Sequence, residues 1–139
     1  MTQSSSANDA ATALLHSSMP LCETLGMRGI KSDPDHVEIA LDWDASLCTV
    51  NGMMHGGAIM ALADSAGAVV AFLNLPEGAL GTSTIESKTN FLGAVTGGEV
   101  RVVSRPLKVG GRTIVIESEV WSNDRLVAKV TQTQIVLTA

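Results

Sequence analysis

One carboxylate, Asp64, interrupts the most apolar stretch of this chain, Ala58 to Leu75, and the run His55-Gly56-Gly57 stands just before that stretch. An ionised acid on an otherwise apolar helix is costly unless it is paired, hydrogen-bonded or put to use as a base or nucleophile. Asp64 lies two turns inside the segment, beyond the first turn where capping acts. The plainer alternative is a side chain that points at a solvent gap or bonds neighbouring backbone. His55, Gly56 and Gly57 offer the backbone N–H groups that a helix start leaves unpaired, in a field that favours negative charge. Two glycines let a ligand approach closely, and such a corner suits the oxygen of a polarised carbonyl or tetrahedral intermediate. The alternative here is an ordinary glycine turn with His55 as an incidental neighbour. Nine residues on a regular helix amount to about 900° of rotation and roughly 13 Å of rise, so His55 and Asp64 face opposite ways. If both serve one carbonyl, the site is shared between two chains of a symmetric dimer.

Those groups need a helix and something to hold it. Gly56 to Leu75 is Ala-rich and apolar on all sides apart from Asp64, Ser65 and Asn74, the pattern of a centrally buried helix. A shorter helix is expected from Ala7 to His16, with Asn8 or Asp9 as its cap. Met19 to Arg28 leads into a first extended stretch. It is followed by the turn Ser32-Asp33-Pro34-Asp35 and a strand from His36 to Trp43 that alternates Val37, Ile39, Leu41 and Trp43 with polar or small residues. After the helix come four alternating segments, Ser83 to Val95, Glu99 to Val109, Arg112 to Ser122 and Leu126 to Leu137. Thr96-Gly97-Gly98, Gly110-Gly111 and Asn123-Asp124 separate them and read as tight hairpins. The sum is an α+β domain with one long helix on an antiparallel sheet.

Length and composition agree with one domain: 139 residues, 45% of them apolar. Residues 1–10 read as a loose tail without the features of a signal peptide, and residues 11–139 as the domain. Ala58 to Leu75 is short for a membrane span and carries Asp64, which costs roughly 3 kcal/mol at a bilayer centre. Cys22 and Cys48 suggest packing thiols in a reducing, cytoplasmic compartment. A net charge of −5 argues against nucleic acid as a partner. Seven of the nine basic residues follow position 87 (Lys88, Arg101, Arg105, Lys108, Arg112, Arg125, Lys129), so an anionic ligand would be held by the C-terminal half. The three histidines lack metal-ligand spacing and no Gly-x-Ser-x-Gly elbow occurs, so neither a metal site nor a serine triad is expected.

Asn51-Gly52-Met53-Met54-His55-Gly56-Gly57, followed by Ala61-Leu62-Ala63-Asp64-Ser65-Ala66, resembles the signature of hotdog-fold acyl-CoA thioesterases, in particular the phenylacetic-acid-degradation (PaaI-like) branch. Thr84-Ile85-Glu86-Ser87-Lys88-Thr89-Asn90-Phe91-Leu92 resembles that family's strand after the helix, and the likeness runs from about Leu41 to the C-terminus. The resemblance implies a hotdog fold, a long helix wrapped by a curved antiparallel sheet, with dimers joined edge to edge and a dimer of dimers left open. It implies Asp64 as general base or nucleophile, Gly56 N–H of the other subunit polarising the carbonyl, and His55 supporting it. Thr84 would orient the water, with Ser83 as the alternative one register away. Thr49 stands where the family usually has an asparagine, which leaves the role of Asn51 open. No cofactor is implied, CoA being part of the substrate. Gly57 would help bind the substrate, and Arg105, Lys108 and Arg112 around the Gly110-Gly111 turn suit the CoA phosphates. Glu86 is a second carboxylate, read as an exposed strand residue. Two other functions stay open at this point: an acyl-thioester hydratase or dehydratase, and a non-catalytic dimer that binds acyl-CoA.

Overall fold

The computed structural model describes residues 7–139. The chain runs α1 (Asp9–Ser18), α2 (Pro20–Leu25), β1 (Arg28–Asp33), β2 (His36–Asp42), α3 (Gly56–Leu73), β3 (Gly81–Phe91), β4 (Glu99–Val109), β5 (Thr113–Ser122) and β6 (Arg125–Leu137). Two single 3-10 turns bridge β2 and α3. All strand pairs are antiparallel, in one six-stranded sheet ordered β1-β2-β4-β5-β6-β3. Every second residue of β5 is buried, which is the period-two pattern its sequence carries. α3 touches every strand, so the sheet curls around it as an α+β hotdog. By length and composition α3 would pass as a membrane span, but it is the core helix, with Leu62, Ala63, Ala66, Val70 and Ala71 buried against the sheet.

Three expectations need correction. The turn Thr96-Gly97-Gly98 does not close a hairpin, because β3 pairs with β6 and β4 lies between β2 and β5. The segment after β3 instead crosses below the start of α3, where Met54 N–H donates to Val95 O (2.8 Å) and Trp43 N–H to Gly98 O (2.8 Å). Glycine punctuation marks where a chain turns and says nothing about which strand it next meets. Met19 to Arg28 contains α2, started by Pro20 and ended by Gly26 in the left-handed region. Asp9 and Ala10, assigned to the tail, form the first turn of α1, whose cap is Asn8 accepting from Ala11 N–H at 3.1 Å. Residues 1–6 of that tail lie outside the described residues.

α1 rests on β1 through Gly29. Asn8 N–H donates to Gly29 O (2.8 Å), and Gly29 N–H donates to the Thr12 hydroxyl (2.9 Å). A Cβ at Gly29 would stand 2.8 Å from the backbone carbon of Ala11, closer than any real contact. Gly29→Ala is therefore expected to lift α1 and cost about 1–3 kcal/mol, the usual range for an overpacked contact. Urea unfolding would measure it; a midpoint equal to wild type would show that α1 is not docked on Gly29.

Candidate active site

α3 is capped by His55. Its Nδ1 accepts the Gly57 N–H at 2.7 Å, and its carbonyl takes the Ala58 N–H at 2.9 Å. With Nδ1 as acceptor, the neutral ring carries its proton on Nε2, which leaves an exposed N–H donor. The Gly57 amide is thus spent on the cap. Gly56 N–H has no acceptor among the described residues, so the corner presents one open amide beside the imidazole N–H. The ring of Phe91, at the end of β3, lies over Gly56, where a Cβ would come within 3.0 Å of its edge. Phe91 escaped the sequence reading because only tertiary folding brings β3 back along α3.

Asp64 sits half-buried two turns further on. Its Oδ1 accepts the Thr84 hydroxyl at 2.7 Å and the Gln132 side-chain amide at 3.3 Å. Thr84 Oγ1 accepts in turn from Gln134 Nε2. The Thr82 hydroxyl lies 3.0 Å from Gln134 Oε1 and 2.9 Å from Ile135 O. One carboxylate oxygen is therefore held by a four-residue chain, while Oδ2 has no donor among the described residues. Ser83 is exposed and points to the other face of β3, so Thr84 is the hydroxyl that meets Asp64. Thr84 opposes Gln134, Glu86 opposes Thr133, and the intervening bulge at Ile85 shifts the register between them. Glu86 is exposed, and Asn51 stands exposed at φ 60° in the turn before α3, at the end of the helix away from Asp64.

Gln132 and Gln134 are fully buried on the inward face of β6 between Val130 and Val136. Gln132 Oε1 has no partner among the described residues, a deficit of about 1–3 kcal/mol. Gly67, less than one turn beyond Asp64, makes room for that side chain, since a Cβ there would stand 2.2 Å from Gln132 Oε1. Core space and hydrogen-bonding capacity are thus given up to fix one side of a carboxylate. A signal existed in the sequence: two glutamines fall on the inward stripe Ala128, Val130, Gln132, Gln134, Val136 of an otherwise apolar face.

Behind Asp64, Cys22 is sealed and donates to the Ser65 hydroxyl at 3.3 Å. Burial pushes its thiol up and the nearby Asp64 charge adds to that, against the lowering effect of the Ser65 bond. Both cysteines are free. A thiol reagent at pH 8 is expected to titrate Cys48 in the native protein and both cysteines after denaturation; rapid native labelling of Cys22 would mean that this side of α3 opens. The described residues contain no group of three or more His, Cys, Asp or Glu able to hold a metal.

Arg105, Lys108 and Arg112 are exposed around the β4–β5 turn and have no ion pair among the described residues, whereas Lys129 is paired with Glu117. Thr113, Ile135 and Ser83 lie in one row across β5, β6 and β3, so the turn is about 10 Å from the Thr84 end of β3 at two strand spacings.

Comparison with known proteins is consistent with this layout. The family model of the thioesterase superfamily matches residues 51–129, from Asn51 through the carboxylate to Lys129. A 1,4-dihydroxy-2-naphthoyl-CoA hydrolase of Escherichia coli is 32% identical over 87 residues, 63% of each chain. The structure of a thioesterase family protein from Silicibacter pomeroyi superposes with a TM-score of 0.85 at 26% identity, covering 94% of this chain and 98% of that one. A conserved protein of Pseudomonas aeruginosa superposes with a TM-score of 0.78 at 33% identity, covering 86% and 94%.

Proposed function

The chain belongs to the thioesterase superfamily, and from that premise we propose that it hydrolyses an acyl-CoA thioester to the free acid and CoA, as a cytoplasmic homodimer. The observation that supports this most is the asymmetry of Asp64: one oxygen is tied to Thr84 and Gln132, and the other is left to act. Oδ2 takes a proton from water as the water oxygen attacks the thioester carbonyl carbon. The carbonyl electron pair moves onto oxygen, where Gly56 N–H and His55 Nε2–H receive it. Collapse of the intermediate breaks the C–S bond and releases CoA thiolate, a leaving group that needs little protonation. Asp64 acting as nucleophile would use the same oxygen. Arg105, Lys108 and Arg112 would take the CoA phosphates.

Two chains are required. Gly56 and Asp64 of one chain are eight residues apart on α3, about 12 Å along its axis. Among the described residues, β3 has β6 on one side and no strand on the other, and it exposes Ile85 and Phe91. Bare edges of this kind are normally covered, and pairing with a second copy about a two-fold axis covers both at once. Thiol release from a panel of acyl-CoAs tests the activity; no release from any of them would end the reading. Mixing Asp64→Asn with Gly56→Pro protomers tests the shared site. Each heterodimer would carry one intact site, so free mixing is expected to return about a quarter of the wild-type rate. No recovery in proven heterodimers would place each site within one chain.

A further inference from the structure

The curled sheet does not close around α3. Its two edges, β1 and β3, remain apart, and α1, which rests on β1, lies at the opening. Below α1 is a cavity of about 440 Å³. Leu15 of α1 forms part of its roof, Ile39 and Met19 part of its wall, and Ala68 of α3 its floor. Its apolar lining and its size, within the range of about 300–1,000 Å³ typical of small-molecule sites, mark it as room for a ligand.

Its position identifies the occupant. Ala68 is one helical turn beyond Asp64 on the same face. Thr82, also in the lining, contacts the Gln134 side chain that holds Thr84 against Asp64. The cavity therefore comes within one helical turn of Asp64 and runs past α1 to Leu73, about 14 Å along α3 from that carboxylate. α1 is pinned to β1 at Gly29, and Leu14 and Phe72, both about two-thirds exposed, stand at the rim.

Resting on the reading of Asp64 as a thioester-cleaving carboxylate, we propose that this cavity holds the acyl group of the substrate and that the group is a medium-length aliphatic chain. The lining is mostly aliphatic, drawn from Leu, Ile, Val, Met and Ala with Phe72 as its one aromatic ring and Ser18, Ser32 and Thr82 as its hydroxyls, and it suits an alkyl chain. Among the described residues, no charged one lines it to recognise a substituted ring. α1 is thus a specificity element. It lies some way from the reacting carbon and acts on chain length.

The test compares acetyl-, hexanoyl-, decanoyl- and naphthoyl-CoA with the full chain. Each methylene that enters the cavity should raise kcat/KM by up to about fourfold. Decanoyl-CoA should then exceed acetyl-CoA by at least about a hundredfold, and naphthoyl-CoA as well. Ala68→Phe fills the floor and should lower the decanoyl-to-acetyl ratio at least about tenfold. Leu14→Trp, at an exposed rim position, should lower it in the same direction should the first variant fold poorly. An equal loss on all substrates, or an unchanged ratio in both variants, overturns the proposal, as does a preference for naphthoyl-CoA. Calorimetric binding of decanoate to wild type and to Ala68→Phe reads the cavity without hydrolysis. Absence of thiol release with decanoate bound only by wild type would end the catalytic reading and leave the apolar site standing. Equal decanoate binding by both proteins would end the site.

Discussion

Asp64→Asn is expected to lower turnover by about a hundred- to ten-thousandfold while the melting temperature stays near that of wild type. The size follows from the proposed role of Asp64 as general base, a role worth typically about 10²–10⁴ in rate. The stability expectation follows from the hydrogen-bond chain. An asparagine Oδ1 still accepts from Thr84 and Gln132, so the bonds that organise β3 and β6 around α3 persist. Its amide takes the place of Oδ2, which has no donor among the described residues to lose. Thiol release measured beside a thermal melt decides the matter. A kcat within threefold of wild type would take Asp64 out of the chemistry, and a large drop in melting temperature would recast it as a structural residue.

Gly56→Pro is expected to cost about a hundred- to a thousandfold in kcat with the dimer intact, the usual consequence of losing one oxyanion donor. Proline removes the open amide and nothing else in the helix hydrogen-bonding scheme, because position one of a helix has no intrahelical use for its N–H. His55 already stands at φ −61°, ψ 134°, the conformation that proline demands of the residue before it. The added Cβ must displace the edge of the Phe91 ring, a half-exposed side chain free to yield. Gly56→Ala is the control, since it brings the same Cβ and keeps the N–H. Equal losses in both variants would show that crowding against Phe91, rather than the missing donor, slows the reaction.

Much of this arrangement could be read from the chain before any coordinates. The apolar helix with its lone acid was legible because Gly56 to Leu73 is hydrophobic all round. The strands are legible because their alternation is regular, with ends placed within a residue or two except at the C-terminal end of β3, which stops four residues before the expected Val95. Thr84 was placed by resemblance, and the structure supplies its partner. What stayed hidden was long-range. β3 lies at the far edge beside β6, a choice that no turn residue encodes. Gln132, Gln134 and Gly67 form one unit across a helix and two strands, and each alone looks ordinary. Phe91 over Gly56 likewise needs two elements that meet only after the sheet has curled.

The placement of β3 beside β6 also has a consequence for how the chain is made. Thr84 pairs with Gln134, fifty residues later, so a nascent chain that has produced the helix and its carboxylate still lacks the strand that orders them. Until β6 leaves the ribosome, β3 is a sticky ribbon with both edges bare, exposed to chaperones and to other copies of itself. The hydrogen-bond chain on Asp64 is therefore expected to assemble late in folding, and a truncation that removes β6 is expected to yield an aggregating polypeptide rather than a weakened hydrolase.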